Sequence, residues 1–125
     1  MEGERMSILQ LIKSHEELKY FLSDYLAGTI KKIDPNTILN DRACDLGEWL
    51  YKGEANNHLT QSEIDDLIKC HKAMHFSMAE IISNYNRGVV ISEDIVMGPD
   101  SPFIKNLDLV LKQLYKLKNK SHIAA

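Results

Sequence analysis

Apolar residues recur along the chain at intervals of three and four, the period of amphipathic helices, and no stretch makes a convincing strand. The first run extends from about Ser7 to about Ile33, with Ile8, Leu11, Ile12, Leu18, Leu22, Tyr25 and Leu26 on one stripe. Ser7 and Gln10 have the spacing of a capping box. Gly28 weakens the last turns, and Asp34-Pro35 ends the run. Asp34 and Pro35 then serve as N-cap and first position of a second helix. That helix turns Leu39, Ala43, Leu46 and Leu50 inward and stops near Gly53, before a polar, turn-rich stretch to Gln61. A third helix begins at Ser62, with Asp65 three residues on, and carries Ile64, Leu67, Ile68, Met74, Met78, Ile82 and Tyr85. Asn86-Arg87-Gly88 closes it. Val89 to Asp100 is a packed connector: Val89-Val90-Ile91 has an extended pattern, and Ser92 to Met97 has room for one helical turn. Ser101-Pro102 opens a fourth helix whose core face is Ile104, Leu107, Val110, Leu111, Leu114 and Leu117. Four amphipathic helices with mostly short connections predict an all-α fold, an antiparallel four-helix bundle.

A chain of 125 residues is expected to form a single domain over 1–125, large enough to hold a core without disulfides. The formal charge of −3 gives no basic face for nucleic acid. No apolar run approaches the roughly 18 residues that span a bilayer. The charged opening Met-Glu-Gly-Glu-Arg is unlike a signal peptide. The two cysteines, Cys44 and Cys70, lack the spacing of a secreted disulfide scaffold. These features predict a cytoplasmic protein that binds neither nucleic acid nor membrane, with its thiols reduced and available to a metal.

Against that background the third helix carries unusual chemistry. His71 and His75 stand four apart, so both imidazoles leave one face, one turn above the other. They fall in line with Ile64, Leu67, Ile68, Met78 and Ile82, which points them into the core. His15 takes an inward slot between Leu11 and Leu18 on the first helix. Buried imidazoles need hydrogen-bond partners, and a shared metal ion would satisfy all three. Cys70, next to His71, points about 100° away around the helix and reads as a small buried hydrophobe. Cys44 comes from a different helix, and Gly47 one turn on would let a neighbouring helix approach closely. Three imidazoles and one thiolate form a closed tetrahedral set that suits zinc. The residues alone leave a second possibility, three separately satisfied core histidines. His58 and His122 lie in a polar loop and in the tail, positions that predict solvated surface.

The run Cys44-Asp45-Leu46-Gly47-Glu48-Trp49-Leu50 resembles the Cys-x-Leu-Gly-x-Trp motif of the bacterial chemoreceptor zinc-binding domain family. The other positions follow in register: His15 lies 29 residues before Cys44, His71 27 after it, and His75 completes the pair. The resemblance runs from His15 to about Tyr85, and the last helix carries no signature of its own. It implies a four-helix bundle holding Zn2+ through His15, Cys44, His71 and His75. It also implies a regulatory role beside a chemoreceptor or diguanylate cyclase, with zinc or an oxidant at the cysteine as the signal, and a homodimer. The chain contains no cyclase and no coiled-coil stalk, so the output is expected to pass through a signalling partner, a fused output domain or the dimer itself.

The expected activity is reversible ligation, and the protein is not expected to be an enzyme. The alternatives are a DinB-like metal-dependent enzyme of the thiol-transferase type, with three histidines and an exchangeable fourth position, and a metal-free helical interaction module. A hemerythrin-like di-iron site would need more inward carboxylates than the helices offer. Glu16 and Asp45 are candidate acceptors for the ligand histidines, with surface positions the plainer expectation. Trp49 is expected either beside the site or as an ordinary core anchor. Lys112, Lys116, Lys118 and Lys120 are read as a solvated helix end.

Overall fold

Ser7 begins the described chain as the N-cap its spacing predicts. Its hydroxyl accepts from the Gln10 amide while the Gln10 side chain accepts from the Ser7 amide, a closed capping box. The structure, a computed structural model, describes residues 7–124, with side chains described through residue 119. Lys120 and His122 therefore lie outside the described side chains.

The first expected helix is present as α1 (Ile8–Glu16) and α2 (Leu18–Leu26), divided only at Glu17. It ends seven residues before Ile33. Gly28 adopts φ +81°, and the amides of Gly28 and Thr29 close back onto the carbonyls of Tyr25 and Asp24. That is the Schellman arrangement, so Gly28 terminates the helix and does not merely weaken it.

The second expected helix is broken. The segment forms α3 (Pro35–Leu39) and α4 (Asp45–Tyr51), with a non-helical link over 40–44. Asp34 caps α3 as anticipated, its carboxylate accepting from the Asn36 amide at 3.0 Å. Because of the break, Leu39 and Ala43 are exposed, contrary to the predicted stripe, whereas Leu46 and Leu50 are buried. A 3-10 turn (Glu54–Asn57) follows, and α5 (Gln61–Asn86) starts one residue before the expected Ser62. Its cap is Thr60, which forms a capping box with Glu63. Asn86-Arg87-Gly88 ends it as expected, Gly88 at φ +84°. In the connector, Ser92 caps the single turn α6 (Glu93–Val96), and 89–91 form no strand. The last helix, α7 (Pro102–Ala124), places Ile104, Leu107, Val110, Leu114 and Leu117 in the core, together with Phe103. Lys112, Lys116 and Lys118 are exposed, as a solvated face requires.

The described residues are all helical or irregular, with no strand. The long helices α5 and α7 pack along one another, α1 lies on α7, and α3 lies on α5. One hydrophobic core joins them, with Leu11, Leu22, Leu46, Met74, Ile82, Leu107 and Leu114 fully buried. None of the described helices is long and apolar enough to cross a membrane.

One polar contact anchors the segment that leads into α3. The buried Tyr25 hydroxyl accepts from the Ile33 amide at 2.9 Å and donates to the Asn86 carboxamide at 2.9 Å. Asn86 in turn donates to the Ile33 carbonyl at 3.0 Å. Tyr25→Phe leaves that amide and that carboxamide without their partner, which should cost about 1–2 kcal/mol. Urea unfolding is the measurement; a midpoint equal to the parent's would show that the contact contributes nothing.

Candidate metal centre

Two of the three imidazoles, His15 and His75, are held by their δ nitrogens. His15, 2 % exposed on α1, has Nδ1 at 2.9 Å from the Leu11 carbonyl. His75, near the middle of α5, has Nδ1 at 2.7 Å from the Ile38 carbonyl of α3. A carbonyl only accepts, so both Nδ1 atoms carry the proton and both Nε2 atoms keep a lone pair. His71 is wholly buried, and its Nε2 lies 3.0 Å from His75 Nε2. Two facing lone pairs repel at that distance, so the arrangement requires a proton or a cation between them. The rings meet edge to face, His71 on His75 with centroids 4.5 Å apart and His15 on His71 at 5.4 Å.

The thiol arrives from the break in the second expected helix. Cys44 is the N-cap of α4, and its Sγ accepts from the Gly47 amide at 3.4 Å. That Sγ lies 3.2 Å from His71 Nε2 and 4.0 Å from His15 Nε2. The ligand atoms of His15, Cys44 and His71 all fall within 4.8 Å of one another; His75 is outside that group of three and meets it at His71, Nε2 to Nε2 at 3.0 Å. Gly47 makes the geometry possible by a route different from the expected one. A Cβ there would sit 1.8 Å from the Asp41 carbonyl oxygen, so the close approach is of the 40–44 link itself and not of a neighbouring helix.

Two acidic groups border the cluster. Asp45 Oδ1 is 3.9 Å from His15 Nδ1, and Ser14 donates to its other oxygen at 2.7 Å. Asp41, nearly buried, has Oδ2 4.0 Å from His71 Nδ1 and accepts there from the Tyr51 hydroxyl at 2.8 Å. Asp45 had been a candidate from the sequence. Asp41 had not, because it falls within what reads as one continuous helix. Glu16 is elsewhere, accepting from Tyr115. Cys70 donates to the Leu67 carbonyl on its own helix and is not in the cluster. Trp49 is a core side chain stacked on the exposed ring of His58, which is thus a surface residue with a partner.

Burial opposes charge on the three imidazoles and on the Cys44 thiol. Burial lowers the pKa of His15 and His75, and burial followed by its two histidine neighbours takes His71 down to about 2. Burial likewise pushes the Cys44 thiol up to about 11, against the pull of the Gly47 amide. The three imidazoles and the thiol are therefore neutral at physiological pH, with the Nε2 lone pairs of His15 and His75 left for a cation.

A definite pH dependence follows for chelator-treated protein. The unfolded chain protonates its histidines near pH 6.5, while folded His71 stays neutral to about pH 2. The unfolded state then binds more protons, so the stability from neutral burial is complete above pH 6.5 and declines below it. Between pH 7 and 5.5 the loss from His71 should be about 1 kcal/mol, and the lowered His15 and His75 add to it in the same direction. Urea titrations at the two pH values measure it; equal stability at both would contradict the neutral burial.

Zinc suits this donor set. Tetrahedral zinc, with nitrogen at about 2.0–2.1 Å and sulfur at about 2.3 Å, separates its ligand atoms by roughly 3.3–3.6 Å. The observed separations of 3.0, 3.2 and 4.0 Å lie on either side of that range. Comparison with curated proteins and with solved structures gave no match. The family model for the chemoreceptor zinc-binding domain matches residues 15–82, a span that opens on His15, takes in Cys44, His71 and His75, and leaves α7 outside. That span is more than half of the chain, and the protein belongs to the chemoreceptor zinc-binding domain family.

Proposed function

We propose that this chain is a zinc-binding regulatory module in which His15, Cys44, His71 and His75 hold one Zn2+. The observation that carries the reading is the approach of the Cys44 sulfur to the Nε2 atoms of His15 and His71, with two of the three imidazoles already fixed as Nε2 ligands by carbonyl acceptors. Bound zinc would favour the thiolate form of Cys44, as a coordinating cation does. The ligands sit on α1, on α5 and at the head of α4, so metal affinity becomes rigidity among those elements.

In this reading α1–α2, the broken α3–α4 segment, α5 and α7 are the four limbs of an antiparallel bundle. The module works without catalytic turnover. It acts in the cytoplasm, as a homodimer, on a chemoreceptor, a diguanylate cyclase or another signalling partner. The signal is zinc itself or an oxidant that reaches the half-buried Cys44 thiol. X-ray absorption on purified zinc-loaded protein, with one equivalent bound, tests the site. Sulfur together with imidazole nitrogen in the coordination shell is the expected result. A shell of nitrogen and oxygen alone would favour a three-histidine centre with an open position.

A further inference from the structure

Among the described residues, two buried side-chain polar atoms have no hydrogen-bond partner: Trp49 Nε1 and His71 Nδ1. The second is informative because of its setting. The other two imidazoles of the cluster each give Nδ1–H to a backbone carbonyl. His71 has no such carbonyl. What faces its Nδ1 is the carboxylate of Asp41, at 4.0 Å.

Asp41 is itself held. The Tyr51 hydroxyl donates to Oδ2 at 2.8 Å, and the Arg42 guanidinium lies 3.8 Å above the Tyr51 ring. The Asp41 backbone is pinned as well, because its carbonyl packs against Gly47 and accepts from the Cys44 thiol at 3.5 Å. One short link thus carries both the thiol and the carboxylate that addresses His71.

We infer that Asp41 is the positioning residue for His71: its carboxylate accepts the Nδ1–H, selects the tautomer whose Nε2 faces Cys44 and His75, and so sets the site's affinity for zinc. The inference rests on the proposed zinc site. The chemistry is that of a carboxylate orienting a metal-bound imidazole, which fixes the ring and raises its basicity. At 4.0 Å the neutral ring and the carboxylate face each other just beyond hydrogen-bond range, and a shift of about 1 Å closes the bond. Tyr51 supports the carboxylate through its hydroxyl.

The test uses the whole chain and Zn2+ alone as the probe. Affinity is measured by competition with a chromophoric chelator for the parent, Asp41→Ala, Asp41→Asn and Tyr51→Phe. Asp41→Ala should lose about 10- to 100-fold in affinity. Asp41→Asn, which keeps an acceptor of the same shape, should recover part of that loss, and Tyr51→Phe should lose less than either. In zinc-loaded parent, the His71 Nδ1–H proton should be visible by NMR and slow to exchange. In zinc-loaded Asp41→Ala it should exchange fast. A merely structural Asp41, acting through Tyr51, would leave that proton unchanged and give Tyr51→Phe the full loss of Asp41→Ala; either result overturns the assignment. Parent protein that takes up no zinc overturns the metal site and this inference together. Parent that binds zinc, beside an Asp41→Ala variant within twofold of it, overturns this inference alone.

Discussion

Gly47→Ala should lower the melting temperature by roughly 10 °C or more, although helix propensity favours the substitution by about 1 kcal/mol. Gly47 sits inside α4 with a negative φ, so backbone freedom is not the reason for glycine there. The reason is space. A Cβ would lie 1.8 Å from the Asp41 oxygen and 2.8 Å from the Arg42 Cα, and both are backbone atoms that cannot rotate aside. Overpacking a core typically costs 1–3 kcal/mol, and a clash this close falls at or beyond the upper end, about 3 kcal/mol or more. For a domain of this size, each kcal/mol is worth about 3–5 °C. Gly88→Ala is the matched control. Its φ of +84° is strained for alanine, but nothing lies within 4 Å of the new methyl group, so about 1 kcal/mol is expected. Calorimetry on the two variants separates sterics from conformational strain. Equal losses, or a Gly47→Ala protein as stable as the parent, would mean that the 40–44 link does not press on α4. Relief of the clash must push the link outward, carrying Asp41 and Cys44 with it, so zinc affinity should fall with stability.

Cys44→Ala should weaken zinc binding by on the order of 100-fold or more while hardly changing the metal-free protein. Structural zinc sites bind with about 10–16 kcal/mol. Shared among four ligands, that is roughly 3 kcal/mol for one, or about a hundredfold in affinity. The metal-free cost is smaller, because the thiol's own contacts are weak: one amide at 3.4 Å, one carbonyl at 3.5 Å, and the Nε2 atoms of His71 and His15 at 3.2 and 4.0 Å. Chelator competition gives the affinity, and the rise in melting temperature on adding zinc gives an independent measure, since a ligand held only by the folded state stabilises it by mass action. Cys70→Ala serves as the comparison and should bind zinc like the parent, because its Sγ donates to the Leu67 carbonyl and lies outside the cluster. Equal affinity in Cys44→Ala and parent would remove the thiolate from the site. A loss confined to Cys70→Ala would mean that the wrong cysteine had been chosen.

The residues that approach one another were largely legible beforehand, and the path of the chain between them was not. Position on a helical stripe was enough to place His15, His71 and His75 in the interior, because the side-chain direction of a regular helix follows from its period. It failed for Leu39 and Ala43, where Leu39, Ala43, Leu46 and Leu50 suggested one helix. The chain leaves helical geometry at 40–44, and the Cys44 sulfur caps a new helix after the break. Sulfur is not among the usual cap acceptors, so periodicity carried no warning. Asp41 was missed for the same reason: it becomes a partner of His71 only when the link folds back onto α4.

Helical period, the caps at Ser7 and Asp34, the glycine stop after Asn86, and the histidine and cysteine spacings that mark the family are local properties, and the sequence by itself determined them. The break before Cys44, the tight seat of Gly47, the tautomer of His75, and the facing of Asp41 and His71 were decided only by tertiary structure. Each depends on a contact between groups remote along the chain or on a turn of the backbone against its own helix. Such contacts obey distance and direction in space, which a one-dimensional period does not contain.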